Sequence, residues 1–138
     1  MLKKALTHKF VEFIPTYLDE GTIYVSLDYA TVAHKCCCGC GNEVVTPLSP
    51  TDWRLTFDGQ SISLWPSIGN WNFTCQSHYW IKHNRVEWAR RWSQDEIDEG
   101  RTRDSLTKES YYKNTAYETT QTNAKQSYWN RLKEWLSK

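Results

Sequence analysis

Residues Trp65-Pro66-Ser67-Ile68-Gly69-Asn70-Trp71-Asn72-Phe73-Thr74-Cys75-Gln76-Ser77-His78-Tyr79-Trp80-Ile81 join two alternating runs across a Gly/Asn turn. Extended by a few residues at each end, they predict strands over 61–67 and 74–82. Side chains alternate between the faces of a strand, so Ile62 and Leu64 share one face while Ser63, Trp65 and Ser67 share the other. In the second run Cys75, Ser77, Tyr79 and Ile81 alternate with Gln76, His78 and Trp80. Packing Ile62 and Leu64 with Tyr79 and Ile81 turns Cys75 toward the core. It leaves Trp65, Ser67, His78 and Trp80 together on the opposite face. A hairpin looping through 68–73 makes Ser67 and His78 direct or diagonal neighbours, with Cβ atoms roughly 5–8 Å apart. Ser77 points the other way.

Upstream, His34-Lys35-Cys36-Cys37-Cys38-Gly39-Cys40-Gly41 packs four of the five cysteines into five positions. Neighbouring cysteines make poor disulfide partners. The opening Met1-Leu2-Lys3-Lys4-Ala5-Leu6 turns polar at once and has no apolar h-region. No apolar run approaches the ~20 residues of a membrane span. The expected setting is therefore the cytoplasm, where clustered thiols point to metal before disulfide. Along an extended 34–40, His34, Cys36, Cys38 and Cys40 fall on one side and Cys37 on the other. Thiolates suit zinc, and Gly39 and Gly41 allow the backbone to wrap it. With Cys75 as the remaining cysteine, the expected ligands are Cys36, Cys38, Cys40 and Cys75. Cys37-x-x-Cys40-Gly41 also fits a knuckle turn, so Cys37 remains an alternative to Cys36, and His34 or His78 to one thiolate. Buried thiols without metal are the plainer reading, since free cysteine is commonly buried.

The rest of the chain frames these segments. At 138 residues it suffices for one domain with a real core. A net charge of +1 gives no reason to expect nucleic acid or an acidic membrane as partner. Eight Trp and eight Tyr against a hydrophobic fraction of 39% make flat rings a large part of whatever is buried. Strands are expected at 9–14 (ended by Pro15), 22–28, 30–35, 42–46 and 53–57, with a hairpin turn at Asp58-Gly59. Residues 86–92 fit either a last strand or the start of a helix. Ser93 with Glu96 forms a capping box that opens a helix over 94–113, and a second helix is expected at about 121–137 from the spacing of Tyr128, Leu132, Trp135 and Leu136. The fold class is thus α+β: a small, zinc-stabilised, antiparallel β-rich core over 1–92 and a helical tail over 93–138, either part of the same domain or an appendage.

A serine becomes a nucleophile when a base takes its proton, and histidine suits that role near neutrality. The Ile68-Gly69-Asn70 turn could aim N–H groups at a developing oxyanion. Against this stands the plain alternative that Ser67 caps a turn and His78 is an ordinary hydrogen-bonded or zinc-ligating histidine.

Taken together, His34–Gly41, Pro47-Leu48, Trp53, Asp58-Gly59, Ser63-Leu64, Pro66-Ser67-Ile68-Gly69-Asn70-Trp71 and Cys75-Gln76-Ser77-His78-Tyr79-Trp80-Ile81 resemble a family of small bacterial serine peptidases. That family is encoded in bacterial ubiquitination-like (Bub) operons, beside activating-enzyme-like, conjugating-enzyme-like and ubiquitin-like proteins. The resemblance runs over roughly 9–92. It implies a Ser–His dyad of Ser67 and His78 that trims ubiquitin-like precursors and releases the modifier from its conjugates. The ubiquitin-like protein and its conjugates would be the partners, with no nucleic acid and no membrane. Trp65, Trp71 and Trp80 would then form a channel for a slim, glycine-rich tail, with Gly69 and Asn70 at its oxyanion end, and zinc would be structural. Asp58 is the candidate for a third catalytic member. Two other readings compete: a non-catalytic zinc adaptor for a ubiquitin-like or conjugation partner, and a metal-dependent hydrolase using His78 and cysteines.

Overall fold

The structure, a computed structural model, describes residues 2–136, with side chains for all of these except 116–129 and 134. Eight strands and one helix follow in order: β1 (Thr7–Phe10), β2 (Thr22–Ser26), β3 (Thr31–Lys35), β4 (Glu43–Pro47), β5 (Arg54–Phe57), β6 (Ile62–Gly69), β7 (His78–Lys82), β8 (Arg85–Trp88) and α1 (Gln94–Leu136). The strands form two four-stranded sheets, β1-β2-β3-β4 and β5-β6-β7-β8. The protein is β-rich with a C-terminal helix, of the α+β class.

Alternation builds the core. Ile23 on β2, His34 on β3 and Val44 on β4 lie side by side, as do Val25, Val32 and Thr46, and all six are buried. From the other sheet Ile62, Leu64, Ile68, Tyr79, Ile81 and Val86 join the same apolar cluster, together with Leu6, Cys36 and Cys37. Tyr79 crosses from one sheet to the other, its hydroxyl 2.7 Å from His34 Nε2. Both residues are fully buried, so the Tyr79 hydroxyl and His34 Nε2 give each other the partner that a polar group out of water needs.

Several boundaries differ from the sequence-based expectation. The first strand is Thr7–Phe10 and pairs parallel to β2, whereas 9–14 had been expected. Just before it, Ala5 bridges Arg85, and Leu6 N–H donates to the Asn84 carbonyl at 2.7 Å. The N-terminal segment therefore pairs first with the edge of one sheet and then with the other. Val11 still donates its N–H to the Val25 carbonyl at 2.9 Å; the chain then leaves the sheet, and Val11, Ile14 and Leu18 pack on Tyr24 and Ala33, so β2 is buried on both faces. The β7–β8 turn is His83-Asn84, both at positive φ (50° and 62°), the two-residue geometry that matches strand twist.

Ser93 opens α1: its hydroxyl accepts from Glu96 N–H at 3.3 Å, and its carbonyl accepts from Ile97 N–H at 3.0 Å. The two expected helical stretches are one continuous helix. Residues 114–120 contain neither Pro nor Gly, so nothing local stops propagation once the helix is nucleated. The Tyr128 side chain of the expected stripe lies outside the described residues, while Trp135 and Leu136 are exposed. The chain divides into two compact units, one ending at Ile97 and one beginning at Asp98. Among the described residues no helix is long and apolar enough to cross a membrane.

Candidate functional site

β6 and β7 carry the site. Their register pairs Leu64 with Ile81, Ile68 with Tyr79 and Gly69 with His78, with a bulge between Leu64 and Ile68. Four residues of β6 thus span two of β7, and the cis Trp65–Pro66 peptide lies in this irregular segment. Both strands change face an even number of times across the bulge, so Leu64 and Ile68 stay in the core together. Ser67 is two residues from Gly69 and so diagonal to His78. Its Oγ lies 2.8 Å from His78 Nε2.

The other imidazole nitrogen settles the tautomer. His78 Nδ1 is 2.7 Å from the carbonyl oxygen of Arg90, and a carbonyl can only accept. Nδ1 therefore carries the proton, and Nε2 presents its lone pair to the Ser67 hydroxyl. Arg90 belongs to the extended connection between β8 and α1. Ala89 N–H continues the ladder by donating to the His78 carbonyl at 2.8 Å. The Arg90 guanidinium then pairs with both Glu96 carboxylate oxygens at 3.0 and 2.8 Å, and Arg91 donates to Gln76 Oε1 at 2.9 Å. Trp92 ends the connection and stacks on Trp71, with ring centroids 5.3 Å apart. The His78 ring meets both indoles edge-on, at 5.0 Å from Trp71 and 5.2 Å from Trp92. His78 is buried, at 8% exposure. Neither Arg90 nor Trp92 was singled out from the sequence, although Trp92 immediately precedes the helix cap Ser93.

The remaining candidates divide. Trp71 joins His78, and its indole occupies the space beside Gly69: a Cβ on Gly69 would lie 2.5 Å from Trp71 Cε2 and Nε1. Trp65 is 58% exposed, carries the Arg54 guanidinium 5.5 Å above its ring, and lines a separate cleft of about 490 Å³ with Leu48, Trp53 and Leu55. Trp80 lies under Lys82 Nζ, 5.0 Å away. Among the described residues no ring contact joins Trp65, Trp71 and Trp80 to one another. Asn70 differs from the oxyanion placement too. Its N–H donates to the Ser77 carbonyl at 2.8 Å, and its side-chain amide donates to Ser77 Oγ at 3.0 Å and Tyr79 Oη at 3.4 Å. Asn70 faces the cysteines rather than Ser67. Asp58 caps its own turn through Gln60 and Ser61 and meets His83 at 3.2 Å. These bonds hold its carboxyl well below the usual range. Asp58 is not the partner of His78 Nδ1, which meets the Arg90 carbonyl instead.

The sulfur atoms of Cys36, Cys38, Cys40 and Cys75 lie within 4.8 Å of one another. Three separations are 3.5 Å (Cys36–Cys38), 3.8 Å (Cys36–Cys75) and 3.9 Å (Cys40–Cys75). A tetrahedron with zinc–sulfur bonds of ~2.3 Å needs sulfurs about 3.8 Å apart, so the donor set fits a structural metal. None of the cysteines is in a disulfide. Burial raises the Cys36 and Cys38 thiols. At Cys40 the upward push of burial is outweighed by hydrogen bonds from Asn42 and neighbouring thiols, which bring it down to about 7. Cys37 lies in the core instead, pushed up to about 12 by burial. His34 is committed to Tyr79, with its Nδ1 buried and unpartnered among the described residues. Neither is placed to join the set. Cys75 itself sits in the turn before β7, not on a strand; Gln76, at φ 45°, makes the bend.

Ser77 ties the two sites together. Its hydroxyl lies 3.0 Å from Cys36 Sγ and 3.4 Å from Cys75 Sγ, and the next residue is His78. The cysteine cluster thus anchors the loop from which the histidine strand starts.

Neither curated proteins nor solved structures gave a match to the chain. A family model described as "Bacterial ubiquitination-like system serine protease (BubE)" matches residues 10–89. That segment covers more than half of the chain and contains Ser67, His78 and all five cysteines. The chain belongs to this family of bacterial ubiquitination-like system serine proteases.

Proposed function

We propose that Ser67 is the nucleophile and His78 the general base of a peptidase acting on the C-terminal tail of a bacterial ubiquitin-like protein. It would release that tail from a precursor extension, from a conjugated target, or from both. The observation that carries this reading is the chain Ser67 Oγ, His78 Nε2, His78 Nδ1, Arg90 carbonyl, with separations of 2.8 and 2.7 Å at its two hydrogen bonds.

Chemically, Nε2 takes the Ser67 proton as Oγ attacks the scissile carbonyl. The imidazolium then returns that proton to the leaving amine. The resulting ester at Ser67 is hydrolysed by a water that His78 deprotonates in turn. The Arg90 carbonyl holds the ring orientation and tautomer and faces the N–H of the transient imidazolium with its negative end. A neutral carbonyl stabilises that cation less than a carboxylate does, and positioning supplies the rest of the acceleration.

Cys36, Cys38, Cys40 and Cys75 would hold a structural zinc ion, which supplies a cross-link between the 36–40 turn and the loop before β7. A complete set of four thiolates is the pattern of structural rather than catalytic sites. His78, engaged by Ser67 and Arg90, is not needed as a ligand. The cytoplasm suits reduced thiols of this kind. The segment up to Trp92 carries both sites, and the helix beyond is an appendage to them.

The test is cleavage of a ubiquitin-like precursor bearing a C-terminal extension. Wild type should cut at the tail, and Ser67→Ala and His78→Ala should each lose on the order of 10³-fold or more in rate. Normal cleavage by a folded, zinc-loaded Ser67→Ala would overturn the assignment.

A further inference from the structure

β6 outruns its neighbour. β5 pairs with it from Phe57 opposite Ile62 to Arg54 opposite Trp65 and no further. Trp53 turns instead to the end of β4, bridging Leu48 and donating from its N–H to the Pro47 carbonyl at 3.1 Å. β6 nevertheless continues to Gly69, so Ile68 and Gly69 have β7 on one side and, among the described residues, no strand paired on the other.

The ladder shows which main-chain groups face that open side. Asn70 N–H donates to the Ser77 carbonyl, and Ile68 pairs with Tyr79 two residues back. In an antiparallel ladder hydrogen-bonded pairs alternate with non-hydrogen-bonded ones, so Gly69 opposite His78 is a non-bonded pair. The His78 carbonyl confirms the phase, because it accepts from Ala89 on the far side of β7. The N–H and C=O of Gly69 therefore point away from β7, toward the vacant edge. Among the described residues no main-chain hydrogen bond from outside the sheet reaches Gly69. Proteins commonly blunt or cover open edges; this one is only a few residues long and bears the serine.

We propose that this edge is the substrate-binding strand: the chain to be cut lies extended along Ser67–Gly69 and exchanges main-chain hydrogen bonds with Gly69. This rests on the assignment of Ser67 as nucleophile. Strand addition recognises backbone before side chains. A paired chain lies about 4.8 Å from β6, with residues about 3.4 Å apart. The substrate residue opposite Gly69 is thus about two residues from the bond beside Ser67. That residue belongs to the acyl side, because the leaving side changes from one conjugate to the next while the tail stays the same. The occupant is accordingly an unfolded, extended tail with free N–H and C=O groups at that position.

The experiment uses full-length Ser67→Ala and the peptide acetyl-Leu-Arg-Gly-Gly-Ser-Lys as probe, followed by amide hydrogen exchange of Gly69. A series of the same peptide with one backbone N-methyl at each position in turn is measured beside it. In parallel, wild type is treated with a small fluorophosphonate that makes no strand contacts. Binding should slow Gly69 exchange at least tenfold, and one N-methyl on the acyl side should weaken binding by roughly tenfold, the scale of one lost hydrogen bond. Unchanged Gly69 exchange at saturating peptide, equal binding across the N-methyl series, or no binding at all would overturn the edge proposal. If Ser67 then still takes the fluorophosphonate, the nucleophile assignment survives. Protection of Gly69 with no label on Ser67 would keep the edge as a binding strand and remove the nucleophile.

Discussion

His78 Nδ1 sits 2.7 Å from the carbonyl oxygen of Arg90, and that single contact determines which nitrogen faces Ser67. A side chain at 78 receives its orientation from a main-chain atom twelve residues later. The segment that supplies it is held at one end by the ladder bond from Ala89 to His78 and at the other by the cap of α1.

The Arg90–Glu96 pair is exposed on both sides, and exposed pairs add little to stability. Its removal should therefore act on the orientation of the connection and not on the fold. Arg90→Ala is expected to leave the melting temperature nearly unchanged and to lower kcat roughly three- to tenfold at constant KM. Arg90→Lys should recover part of the loss. Steady-state kinetics with a thermal melt on each variant checks this.

Gly69 matters because of its neighbour. A methyl group there would meet the Trp71 indole at 2.5 Å, so the ring that packs against His78 must move. Gly69→Ala is expected to cost about 1–3 kcal/mol of stability by overpacking. The shifted indole should also lower kcat/KM by ten- to a hundredfold, the scale of a misplaced reacting group. Urea denaturation and kcat/KM together measure both effects.

The five cysteines should separate cleanly by metal content. Cys75→Ser breaks the set of four and is expected to lose zinc and drop the melting temperature by on the order of 10–20 °C. Activity should fall with it, since Ser77 and the start of β7 lose their anchor. Cys37→Ala should keep one zinc per chain and cost only about 1–2 kcal/mol for a small cavity. Elemental analysis and melting of the two variants side by side distinguish them.

Tyr79→Phe removes a hydroxyl from a fully buried position. Its absence leaves His34 with neither ring nitrogen paired among the described residues, since Nδ1 already lacks a partner there. A stranded buried polar group costs about 1–3 kcal/mol, which urea denaturation should show with zinc content unchanged.

How much of this was legible in the sequence depends on which atoms carry the information. Ile62, Leu64, Tyr79 and Ile81 mark one face by alternation alone, and that suffices to put Ser67 and His78 together on the other. The spacing of Cys36, Cys38 and Cys40 likewise shows the set that Cys75 completes. The Arg90 contact left no trace because a carbonyl has no side-chain signature. Asn70 read as a turn residue near the serine, but the Ser77 and Tyr79 hydroxyls turn its amide toward the cysteines. Trp65 and Trp71 share a segment of sequence, but Trp65, beyond which β5 no longer pairs with β6, lines a different cleft, while Trp71 packs on His78. Asp58 followed from proximity in sequence and is held by its own turn. The parallel β1 and the unbroken α1 depend on pairing and propagation, which a local pattern does not encode.

The most direct measurement is to treat the zinc-loaded protein with a fluorophosphonate and locate the adduct by peptide mass spectrometry, in wild type and in His78→Gln. The expected result is one adduct, on Ser67, formed at least a hundredfold more slowly when the base is gone. An adduct on another serine, or labelling of Ser67 at the same rate in both proteins, would contradict the dyad.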